Sequence, residues 1–98
     1  MDEFQVLIHR EGSSMHLKLV GELDNDAALK VIDVLTRHYS ILSKIFIHTN
    51  TIDRILDFDS ETFKSRIREI NSRSIPIFFT GEYGTALASQ GINIFHLK

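Results

Sequence analysis

The sequence contains no cysteine, no tryptophan and a single proline, Pro76. Without cysteine there is no disulfide framework, no thiolate zinc site and no cysteine nucleophile. No unbroken apolar run exceeds three residues, too few for a membrane span or the apolar core of a secretory signal. Neither sign of charge dominates: 11 Lys and Arg stand against 13 Asp and Glu, a net charge of -2. Nothing global therefore calls for nucleic acid or an anionic membrane as partner. Repeats, low-complexity stretches and linker composition are also missing. What remains is 98 residues, 43% hydrophobic and 24% charged, the composition of a folded chain. The expectation is one small domain over residues 1–98 with a single core.

Hydrophobic periodicity orders the elements. Phe4 to His9 reads as a strand, and Glu11-Gly12-Ser13-Ser14 as a turn. Met15 to Val20 alternates Met15, Leu17 and Leu19 against His16 and Lys18, a strand with one covered face. The short link makes the pair an antiparallel hairpin. Gly21 to Asp26 breaks the strand, and a helix runs on to about Tyr39 with the stripe Ala28, Val31, Ile32, Leu35 and Tyr39. Asp24 or Asn25 is its cap. Lys44 to His48 suits a central strand covered on both faces. Thr49 to Phe58 reads as a long loop. A second helix spans about Asp59 to Ser72, with Asp59 as N-cap and the stripe Phe63, Ile67 and Ile70. Ile75 to Phe79 is a fourth strand. Thr80-Gly81 opens a short third helix with the stripe Tyr83, Ala86 and Leu87, ending at Gly91 and Ile92. Asn93 to Leu97 is a fifth strand. The order β-β-α-β-α-β-α-β predicts an α/β fold with a mixed sheet. Strand one is antiparallel and the others are mainly parallel through right-handed crossovers. Phe4 or Val6, Leu17, Leu19, Ile32, Leu35, Ile45, Ile47, Phe63, Ile67, Ile77 and Phe79 form the expected core.

This layout, with Leu17-Lys18-Leu19-Val20-Gly21-Glu22-Leu23-Asp24 at its centre, resembles the STAS family over nearly the whole chain. That family includes anti-sigma factor antagonists and the cytoplasmic domains of sulfate transporters. Its members carry Asp-Ser-Ser-Gly-Leu at the start of the second helix, where a partner kinase phosphorylates the second serine. The matching stretch here is Asp59-Ser60-Glu61-Thr62-Phe63. Glu61 stands at the phosphorylated position and Thr62 replaces the glycine. Shifting the register so that Asp57 leads places Asp59 there instead. Either register puts a carboxylate where the switch serine belongs. A second expected departure is that no final helix follows the last strand. The face this leaves around Ile92, Ile94 and Phe95 is where a homodimer is expected.

The carboxylates cluster by loop. Glu22, Asp24 and Asp26 follow the second strand, and Asp53, Asp57, Asp59 and Glu61 follow the third. Such loops share the ligand-binding edge of a parallel sheet. The acids there serve as helix-dipole partners, as a surface for a basic protein partner, or as oxygen ligands for a divalent cation. Ser60 is a candidate phosphosite or a capping hydroxyl. The histidines are His9, His16, His38, His48 and His96. No two have the i, i+4 spacing of a helical zinc pair, so no metal or cofactor is expected. No nucleophile elbow and no phosphate loop occurs. Lys64, Arg66, Arg68 and Arg73, with Arg54, make the second helix basic on one side, without interleaved aromatics, so no nucleic acid partner is expected. A receiver-like phosphoacceptor site lacks paired acids after the first strand.

The resemblance implies a non-enzymatic, cytoplasmic protein-interaction module in signalling. Its partner is an anti-sigma-type kinase or a related regulatory protein. Glu22, Asp24, Asp57, Asp59, Ser60 and Glu61 form the contact surface, and phosphorylation at the usual serine position is not expected. The other reading is a small-molecule binder or carrier. It requires an enclosed apolar cavity of roughly 300 Å³ or more between sheet and helices.

Overall fold

The structure is a computed structural model that describes residues 4–38, 43–56, 59–71, 75–87 and 93–94. Strand β1 (Gln5–Glu11) and strand β2 (Ser14–Leu23) precede helix α1 (Asn25–His38). Strands β3 (Lys44–His48) and β4 (Ile52–Ile55) lead into helix α2 (Ser60–Asn71). Strand β5 (Ile77–Thr80), helix α3 (Gly84–Leu87) and strand β6 (Asn93–Ile94) complete the order. The sheet runs β1-β2-β3-β5-β6, with β4 also paired to β2. The β1–β2 hairpin is antiparallel. The pairings β2–β3, β2–β4, β3–β5 and β5–β6 are parallel.

Alternation along the strands decides which face is covered. Met15, Leu17, Leu19, Ile45, Ile47, Ile77 and Phe79 have no solvent exposure. They join Val31 and Leu35 of α1 and Phe63, Ile67 and Ile70 of α2 in one core. Their neighbours His16, Phe46, His48 and Phe78 are half-buried, and Lys18 is exposed. The described helices therefore lie on one side of the sheet, and no described helix lies on the other face. This corrects the expectation that the Lys44–His48 strand is covered on both faces. It is central in the sheet, yet Phe46 and His48 are only half-buried and have no described helix over them.

Four other expectations need correction. Gly21 to Leu23 does not break the strand. It continues β2, because β4 supplies a new partner from Gly21 onward. A register irregularity between Gly21 and Glu22 and a φ of 113° at Gly21 accommodate the change of partner. The Thr49–Phe58 loop holds a strand within it, since Ile52 to Ile55 takes the edge of β2 beyond the stretch that β3 occupies. Among the described residues the third helix is a single turn that adds Leu87 to the core, so the two longer helices do most of the covering. Ile32 is half-buried rather than in the core, and it lines a groove described below; Phe4 and Val6 are likewise half-buried against the core. The expected final strand is described only as Asn93–Ile94. Tyr39, Asp57, Arg73, Gly91, Ile92, Phe95, His96 and the region after the last strand lie outside the described residues. So do the side chains of Ala86 and Ile94.

Candidate functional site

The two long helices start side by side. Strand β2 ends at Leu23, and Asp24 turns the chain into α1 as its cap. Its carboxylate accepts the Ala27 N–H at 2.9 Å and its carbonyl the Ala28 N–H at 2.9 Å. Asn25 reaches across: its Oδ1 accepts the Asp59 N–H at 2.8 Å. Asp59 in turn caps α2. Its carboxylate accepts the Thr62 N–H at 3.1 Å and the Thr62 hydroxyl at 2.6 Å. That hydroxyl bond, the Thr62 N–H and the Glu61 N–H together hold the Asp59 carboxyl below the usual range. Thr62, which departs from the family's glycine, thus has a use that glycine cannot serve.

The expected site residues divide as follows. Asp24, Asp59, Ser60 and Glu61 meet around the adjoining helix starts, with Glu61 exposed in the first turn of α2. Glu22 stands apart at the end of the sheet, where its carboxylate accepts from Arg54 Nε and ties β2 to β4. Asp57 is outside the described residues. Two of the clustered acids are therefore used as caps, which leaves Glu61 as the outward charge of the turn.

A groove runs from this junction between α1 and α2. Asn25, Ala28, Leu29 and Ile32 form one wall, and Asp59, Thr62, Phe63 and Arg66 the other, around about 220 Å³. Leu29 is 63% exposed although it is large and apolar. The groove is visible in the sequence only as the outer edge of two helical stripes. Helix spacing puts Asn25, Ala28, Leu29 and Ile32 on one side of α1. Nothing local says that α2 lies beside it.

A second cluster lies on the open sheet face. His16 Nδ1 and His48 Nε2 are 2.9 Å apart, and His48 Nδ1 is 2.7 Å from Thr80 Oγ1. The His16 ring stacks on Phe46, and Phe46 on Phe78. Burial lowers the His48 pKa, helped by the charges of His16 and Lys18. A hydroxyl hydrogen-bonded to an imidazole has the outline of a nucleophile and its base. Thr80 is only 3% exposed, however, and a substrate cannot reach it. No group of three or more metal-ligating side chains occurs among the described residues. No helix among them is long and apolar enough to cross a membrane.

No protein-family model matches the sequence, and no curated protein matches it. Solved structures do resemble the chain. The anti-sigma factor antagonist SpoIIAA in its unphosphorylated form aligns with a TM-score of 0.69 at 14% identity, over 98% of this chain and 90% of its own. The phosphorylated form of the Bacillus cell fate determinant SpoIIAA aligns at 0.68 and 14% identity, over 98% and 92%. Mglu aligns at 0.66 and 21% identity over 88% of this chain, which spans about 20% of the Mglu chain. Overlap with SpoIIAA along nearly the full length of both chains, and the parallel β2–β3 pairing within it, give this chain the SpoIIAA-like fold expected from its resemblance to the STAS family.

Proposed function

We propose that this chain is a non-enzymatic protein-interaction module of the anti-sigma-antagonist type, with a fixed negative charge in place of a switchable serine. Its surface is the junction of the α1 and α2 starts, with Asp24, Asp59, Ser60 and Glu61, and its setting is the cytoplasm. The observation that carries the reading is the first turn of α2. Glu61 is exposed there, while Thr62 is held by the Asp59 cap. A phosphoserine carries roughly -1.5 to -2 charge; Glu61 supplies the same sign permanently. Such a turn disfavours an acidic or phosphate-bearing contact at Glu61 itself. It favours a regulatory protein offering Arg or Lys, where a charge-assisted hydrogen bond forms. The groove of about 220 Å³ lies below the roughly 300–1,000 Å³ of small-molecule pockets, which weighs against the carrier reading.

Two measurements test this. Incubation with a co-encoded kinase and ATP should leave the intact mass unchanged; stoichiometric phosphate on Ser60 would restore the ordinary switch. Affinity capture from native cytosol should retain a regulatory protein on the wild-type chain and lose it on Glu61→Lys. Glu61→Ser should stay folded, at a cost of about 0.3–1 kcal/mol from the helix-dipole contribution.

A further inference from the structure

We propose that the α1–α2 groove holds one large apolar side chain of a partner's peptide segment, and that Arg66 pairs with a carboxylate of the same segment. This deepens the interaction reading above and rests on it. The groove is polar at one end and cationic at the other. At the polar end the Asn25 amide oxygen is bonded to the Asp59 N–H, and the Asp59 carboxylate takes three donors from the first turn of α2. That carboxylate is satisfied without a ligand. Along the middle, Ala28, Leu29, Ile32 and Phe63 give an apolar lining. A 63% exposed Leu29 gains from being covered.

Arg66 follows Asp59 and Phe63 along α2 at i+7 and i+3, so it sits at the far end of the groove. Its side chain is exposed and has no ion pair or hydrogen bond among the described residues. A guanidinium at the rim of an apolar slot selects a planar anion that it can grip with two N–H groups. Glu61, five residues before Arg66 on α2, is not part of the groove lining, so its charge does not oppose a carboxylate there. A volume of about 220 Å³ suits a leucine or phenylalanine side chain and is small for a whole ligand. The chemistry is therefore that of an acidic, apolar peptide segment.

The test is selection of a phage-displayed library of random linear peptides on the immobilised wild-type chain. Enriched peptides should combine a leucine or aromatic residue with an Asp or Glu a few positions away. A synthetic copy should shift the amide NMR signals of Ala28, Leu29, Ile32 and Phe63. It should bind at least tenfold more weakly to Arg66→Glu and to Leu29→Asp, and keep most of its affinity for Arg66→Lys. Both residues are exposed, so the variants should show the wild-type spectrum away from the groove. The proposal is overturned if no peptide is enriched, if the enriched peptides lack an acid, or if Arg66→Glu binds equally well. It is also overturned if 4-phenylbutyrate alone matches the peptide's affinity at the same signals, which would make the groove a site for a small carboxylate. A folded partner captured equally by wild type and Arg66→Glu would leave the interaction reading standing and remove only the groove from it.

Discussion

Thr49 has no solvent exposure, and its polar atoms are all engaged. Its hydroxyl donates to the Thr80 carbonyl at 2.6 Å and accepts the Tyr83 N–H at 3.2 Å, while its own N–H donates to the Thr80 carbonyl at 3.0 Å. Gly81 allows this by lying close with a φ of +92°. A Cβ there would stand 2.6 Å from Thr49 Oγ1 and 2.7 Å from the Asn50 nitrogen. Gly81→Ala should therefore cost the left-handed strain of about 1–2 kcal/mol and, beyond that, the displacement of a buried threonine. Gly12→Ala has a φ of +63° and nothing within 4 Å, so it should cost the strain alone. Urea midpoints of the two variants compare them directly; equal losses would show that the Thr49 contact is unimportant. The sequence marks Gly81 as an opening residue for a helix. Its closeness to Thr49 depends on β3 and β5 being neighbours, which no local pattern states.

Among the elements, both long helices and their caps are legible in the sequence because stripe and cap lie within one stretch of chain. Asp24 and Asp59 are acids placed just ahead of a 3.6-residue apolar period, and both act as N-caps. Asp24→Ala should destabilise the domain by about 1 kcal/mol, measured by urea unfolding. It should also loosen the Asn25 bond to α2, visible as faster hydrogen exchange at the Asp59 amide. An unchanged Asp59 amide would separate the cap from the junction. Strand β4 was not legible. Ile52-Asp53-Arg54-Ile55 is short, with two charges in the middle, and it becomes a strand because β2 outlasts β3 and offers a free edge. Ile32 shows the same limit from the other side. It shares the α1 stripe with Val31 and Leu35, yet the geometry of α2 leaves it at a groove.

For the whole molecule, a one-sided sheet places polar and aromatic side chains where another α/β protein would have helices. The His16–His48–Thr80 chain joins β2, β3 and β5 across that open face. His48 is faced by His16 and Lys18 from β2, by Thr80 from β5 and by Phe46 from its own strand, with Glu11 3.9 Å from His16. Because its native pKa is lowered, the unfolded chain takes up the proton first as pH falls. The stabilisation from neutral His48 is thus complete above its unfolded value near 6.5. It is lost as pH drops through the lower native value. The urea midpoint should decline between pH 7 and pH 5, and His48→Gln should flatten that decline. An identical slope in the variant would assign the acid sensitivity elsewhere. The histidines were visible in the sequence, but the meeting of His16 with His48, and of His48 with Thr80, required three strands in register.

The turn between β1 and β2 gives the molecule a usable far pole. It precedes the ten residues of β2, while the helix junction follows them, so roughly 30 Å of strand separates the two. Glu11 beside the turn has a side chain 74% exposed. Since the chain has no cysteine, Glu11→Cys creates a unique thiol. Tethering through it to a sensor chip or a dye orients every molecule alike, with the helix junction pointing away from the support.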